Sequence, residues 1–85
     1  MTPQSIQLAS TSAIQTAVTH ARWTVHDLWV AALAIGGAMN HDDVTHIVSG
    51  VRSASSSEHD VLAAALNEHF VDHGDDHPVT YWRDL

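Results

Sequence analysis

Residues 27–39 (Asp27-Leu28-Trp29-Val30-Ala31-Ala32-Leu33-Ala34-Ile35-Gly36-Gly37-Ala38-Met39) form the one long apolar run of the chain, and any fold it adopts has to hide much of that run. On a 3.6-residue wheel Ile35, Leu28, Met39, Ala32, Val25, Gly36, Trp29 and Leu33 share a broad face, while Ala31, Ala34, Ala38 and Gly37 lie opposite with Val30. Bulk on one side and small residues on the other suit a helix at the centre of a bundle, where a second backbone can approach the alanine side. Thr24 is placed to cap this helix, and Asp27 puts negative charge in its first turn. Each glycine of Gly36-Gly37 costs roughly 1 kcal/mol against alanine inside a helix. The helix is therefore expected to end there, or to run no further than Met39. This reading makes it the hub, with Trp29 in reach of both the third and the fourth helix.

The flanking sequence supplies three more helices. Residues 1–5 read as a frayed start with Ser5 as a possible cap, and from Ile6 onward Ala13, Ile6, Ala17, Ala21, Ile14 and Val18 share a face with Leu8 off it. The many Ser and Thr residues lower intrinsic helicity, so this segment needs a partner surface. Arg22-Trp23 makes a corner. Asn40 sits where a cap belongs, Asp42 and Asp43 follow it, and a short third helix runs to about Gly50 with Ile47, Val51, Val44 and Val48 as its apolar stripe. After the serine-rich loop from Arg52 to Ser57, either Ser57 with Asp60 or Ser55 with Glu58 offers a capping box. The fourth helix should then span about Glu58 to His73 and stop at Gly74. Its inner arc holds Val61, Ala65, Leu62, Leu66 and Phe70, and also His69 and His73. Asp75-Asp76-His77-Pro78 breaks the helix, leaving Val79-Thr80-Tyr81-Trp82 extended. The expected architecture is all-α: one domain over 1–85, a small bundle of about four helices with the third short, and an extended aromatic C-terminal tail, with 1–5 and 75–85 outside the helices.

A chain of 85 residues is near the size at which oligomerisation often supplies missing burial, so a homodimer is expected. Charge is lopsided. Up to His41 there are only Arg22 and Asp27, which cancel, whereas from Asp42 onward nine acids face Arg52 and Arg83 and give the net −7. There is no lysine, and three scattered arginines build no basic patch, which argues against binding nucleic acid or an anionic membrane. The absence of cysteine removes disulfides and thiolate metal sites. The apolar run is too short to span a bilayer and nothing resembles a secretory leader, so the setting expected is the cytoplasm.

The order Leu28-Trp29, Gly36-Gly37, a short helix ending at Gly50, then His59-Asp60-Val61-Leu62-Ala63 and Asn67-Glu68 resembles a group of short actinobacterial proteins of unknown function. The resemblance covers roughly residues 23–82 and excludes the first helix. It implies a bacterial, cytoplasmic setting and no particular activity.

Chemistry could reside in few places. His69 and His73 are one helical turn apart and point the same way, the separation two imidazoles need to share a metal, and His77 could add a third ligand. Phe70 stands where a zincin would carry its glutamate, which rules that pattern out; the bland alternative is a half-buried His69 with His73 and His77 solvated near the helix end. His41 and His46 make a poorer pair, about 140° apart on the wheel. The serines lie in a loop without an elbow motif, so no nucleophilic triad can be assembled. Gly36-Gly37 lacks the strand and lysine of a phosphate loop. The segment from Trp29 to Gly50 has the outline of a helix-turn-helix, but its second helix exposes Asp42, Asp43, Thr45, His46 and Ser49 and offers no cation to DNA. Eight histidines would let the charge respond to falling pH. Tyr81 and Trp82 serve either as pins on the domain's own core or as anchors for a partner. The leading expectation is a non-enzymatic protein that acts by protein association as a homodimer, without cofactor, in a regulatory or adaptor role; a histidine-based metal protein and a helix-turn-helix regulator are the alternatives.

Overall fold

Each helix of this chain is bounded by short-range signals. The computed structural model describes residues 3–76 and 78–85, with side chains placed from Ser5 onward. It contains α1 (Pro3–Ala21), α2 (Val25–Ala34), α3 (His41–Ser49) and α4 (Ser56–Asp72), followed by a 3-10 turn over Trp82–Asp84, with no strand among the described residues. The protein is an all-α four-helix bundle. Helix α1 already runs through Pro3 to Ser5, so the segment expected to fray is helical over those residues. A proline loses nothing in a first turn, where its missing N–H would have no partner in the helix.

The three later helices open with reciprocal capping boxes. The Thr24 hydroxyl accepts from the Asp27 amide at 3.1 Å while the Asp27 carboxylate accepts from the Thr24 amide at 2.9 Å. Asn40 with Asp43 and Ser55 with Glu58 repeat the arrangement. Of the two boxes the serine loop offered, Ser55 with Glu58 forms, and α4 starts two residues earlier than expected. Helix α2 ends at Ala34, with the Gly36 amide on the Leu33 carbonyl and the Gly37 amide on the Ala32 carbonyl, the paired bonds of a Schellman motif. The two glycines do different work there. Gly36 takes φ +91°, and a Cβ on Gly37 would lie 2.8 Å from the Ala32 carbonyl oxygen and 2.9 Å from a Val61 methyl. The same pair of bonds closes α1, but its left-handed position is held by Arg22, at φ 58°.

The hub is α4, not α2. Helix α4 packs against α1, α2 and the C-terminal turn, while α3 rests on α1 and α2. His59, Leu62, Ala63, Ala65, Leu66, Asn67 and Phe70 are all buried, a continuous arc of about 200° around α4. Helix α2 buries only Leu28 and Ala32. At ten residues it is too short to be enclosed on all sides, and its other bulky residues are partly or largely exposed. Trp29 is half-buried, with its indole N–H donating to the Met39 carbonyl at 3.1 Å and its ring edge-on to His41. It clasps the α2–α3 connection and does not fill the core. Ile14, Ala17 and Val18 of α1 and Val44 and Ile47 of α3 complete the interior, whereas Val51, expected in the α3 stripe, is 76 % exposed because the left-handed Gly50 redirects the chain before it.

Candidate functional site

Two surfaces and one buried polar array carry the chemistry of this molecule. The array begins on α1, where Ser10 lies in the middle of the apolar stripe and is fully buried. Its hydroxyl is 2.7 Å from Nδ1 of His59, also fully buried, and His59 Nε2 is 2.7 Å from the Thr80 carbonyl oxygen. A carbonyl only accepts, so Nε2 carries the proton, Nδ1 accepts, and Ser10 donates. Serine donating to imidazole is the pairing of a nucleophile with its base. Here both side chains are sealed and both ring nitrogens are engaged, and what the pair does is tie α1 to α4 and α4 to the C-terminal segment.

Asn67 extends the array. Its side-chain N–H donates to the Val79 carbonyl at 2.9 Å, and its carbonyl accepts from the Val79 amide at 2.8 Å, the two-point pattern one strand offers another. The Asp60 carboxylate accepts from the Trp82 amide at 2.8 Å. Val79 itself is buried, and no buried side-chain polar atom among the described residues lacks a partner. Sequence reading missed Ser10, His59 and Asn67. The signal lay in the spacing His59, Ala63, Asn67, which extends the apolar arc of α4 by polar, small and polar residues at four-residue intervals.

The residues singled out from sequence fall as follows. His69 is half-buried against Trp23, ring centres 4.7 Å apart, and 5.4 Å from the Phe70 ring. His73 is exposed, its ring 4.3 Å from that of His69, with Nδ1 2.8 Å from the His69 carbonyl. That contact makes Nδ1 the donor, so His73 is bonded to its own helix end. His77 lies outside the described residues, and among those described no group of three or more His, Asp or Glu side chains is placed to hold a metal ion. His41 sits against Trp29 and His26, while His46 is exposed elsewhere on α3. Tyr81 is exposed. Trp82 is half-buried with its ring edge-on to His59 at 5.9 Å, and Val79 is the tail side chain that is buried.

The first surface is the outer side of α2. Val30 and Leu33 stand 48 % and 42 % exposed there, next to the exposed Ala34, while Ile35, 40 % exposed, is the cap residue beyond the helix and faces α4 near Glu68 and Asp72. No charged residue occurs between Asp27 and His41. The second surface is a groove of about 570 Å3 between α1 and residues 78–80, walled by Ala13, Ala17, Phe70 and Val79 with His20 and Thr80 at its polar margin.

Arg52 joins α3 to α4. Its guanidinium donates to both Glu58 carboxylate oxygens at 3.0 Å and lies 3.6 Å from Asp43. The Arg52 side chain, helped by the Ser55 amide, lowers the Glu58 pKa from 4.5 to about 2, and the Glu58 bond raises that of Arg52. Asp27 is lowered as well, by its bonds from the Thr24 backbone and hydroxyl. Arg52 is thus occupied within its own fold, and the exposed side of α3 carries His41, Asp42, His46 and Ser49. No described helix is long and apolar enough to cross a membrane. No protein-family model matches the chain, and comparison with curated proteins and with solved structures gives no significant match.

Proposed function

We propose that this is a small non-enzymatic association module of the cytoplasm that forms a homodimer through the outer face of α2. The observation that carries the reading is the exposure of Val30 and Leu33, one helical turn apart on the outer face of α2, on a stretch with no charge of its own. Apolar side chains grouped at helical spacing on a surface mark contact sites. In a twofold dimer each patch meets its own copy. An uncharged patch meets itself without repulsion, whereas the acidic half of the chain, with nine carboxylates from Asp42 onward, would set like charges against each other. A second copy is therefore the favoured occupant, and the role that follows is regulatory or adaptor-like.

Sedimentation equilibrium tests this. The wild-type chain is expected to dimerise in the micromolar range, and Leu33→Glu to be monomeric at the same concentrations with an unchanged urea midpoint, since a surface substitution of this kind shifts stability by about 0.5 kcal/mol or less. A wild-type monomer at tens of micromolar, or a Leu33→Glu protein that dimerises as well as wild type, would remove the proposal.

A further inference from the structure

The C-terminal segment is held in an unusual manner for a chain end packed on a helix. Four of its main-chain groups are bound by α4 side chains: the Val79 amide and carbonyl by Asn67, the Thr80 carbonyl by His59 and the Trp82 amide by Asp60. One side chain, Val79, enters the interior and is 4 % exposed. The polar groups of α4 read a main chain and the valine supplies the fit, which is how extended peptides are recognised when they add to a receptor edge. None of these contacts depends on the covalent link. Residues 73–76 and Pro78 of that link are exposed, and the amides of His73, Gly74 and Asp75 bond back only to the last turn of α4. The groove along α1 leaves one flank of residues 78–80 uncovered.

We propose that the His59–Asp60–Asn67 face of α4 is a receptor for an extended main chain, and that it accepts the 79–82 segment of a second copy in place of its own. A second copy's segment offers the same four main-chain groups and the same valine, so the exchanged contacts are equivalent to those present. The chain's own segment wins at ordinary concentration because a short tether holds it at an effective concentration of about millimolar. This inference goes beyond the α2 dimer and does not require it.

The test uses the full-length chain carrying Val79→Asp, which sets a charge into a buried position and expels the segment, and a fluorescein-labelled synthetic peptide of residues 78–85 as probe. The peptide is expected to bind the variant saturably and at least tenfold more tightly than wild type, whose site is already filled. Adding Asn67→Ala to the variant should weaken that binding at least tenfold, and a scrambled peptide should not bind. A folded Val79→Asp protein that binds the peptide no better than wild type, or binds the scrambled peptide equally, overturns the proposal. Should Val79→Asp fail to fold, hydrogen exchange on the wild-type chain decides. The Val79 and Trp82 amides are expected to exchange faster than those of Leu62 and Leu66, at a rate insensitive to low urea. If they exchange only with global unfolding, the segment is a fixed part of the core and no exchange site exists.

Discussion

The Ser10–His59–Thr80 array and the Arg52–Glu58–Asp43 cluster both join parts of the chain that lie apart in sequence, yet they stand at opposite depths. In the first, Ser10 and His59 are sealed from water, with bonds of 2.7 Å on each side of the imidazole. In the second, Arg52 and Asp43 keep more than a third of their side-chain surface in solvent. The exposed cluster has the stronger nominal attraction, between full charges. The buried one holds the fold harder, because breaking it strands polar atoms where water cannot replace the lost partner, whereas a broken surface pair is simply rehydrated. Depth, more than charge, sets what each is worth.

His59→Ala should have the largest effect. It empties a ring-sized space and strands the buried Ser10 hydroxyl, at an expected cost of about 3 to 4 kcal/mol, a large share of a small domain's stability. Urea melts measure it, and a midpoint within error of wild type would mean that the buried array contributes little. Ser10→Ala leaves only the His59 Nδ1 without a donor and should cost about 1 to 2 kcal/mol. The Ser10→Ala/His59→Ala double variant should fall short of the sum, since the two share one bond. Strict additivity would separate them and weaken the comparison.

Arg52→Gln should cost least, about 0.5 to 1 kcal/mol at neutral pH and less in high salt. Its signature is pH. Glu58 is held below its ordinary 4.5, at about 2, so its stabilising share is complete above the unfolded value and is lost as pH falls from about 4.5 toward 2. The stability difference between wild type and Arg52→Gln should therefore shrink across that window. A difference that stays constant down to pH 2 would show that the pair owes nothing to charge.

Much of the fold was legible in the sequence because its boundaries are local. Thr24 with Asp27, Asn40, Ser55 with Glu58, and the glycines at 36, 50 and 74 each act within a few residues of the atoms they satisfy. The centre was misjudged for the opposite reason. Helix α2 is the most apolar stretch, but burial depends on how many neighbours a helix has, and α4 earns its position through Ser10, 49 residues away, and through main-chain groups of residues 79–82. A serine in α1 reads locally as a weak helix former, and a histidine in α4 as a surface residue. Only the fold brings the two together.

The separation of Ser10 from His59 also orders events during synthesis. At about 5 to 20 residues per second the ribosome makes His59 some 2 to 10 s after Ser10, and through that interval α1 has neither its hydrogen-bond acceptor nor the α4 surface it packs on. Its many Ser and Thr residues lower its intrinsic helicity, so it depends on packing for stability. The first helix is thus secured late, and a nascent chain stalled before α4 would hold it only through its contacts with α3.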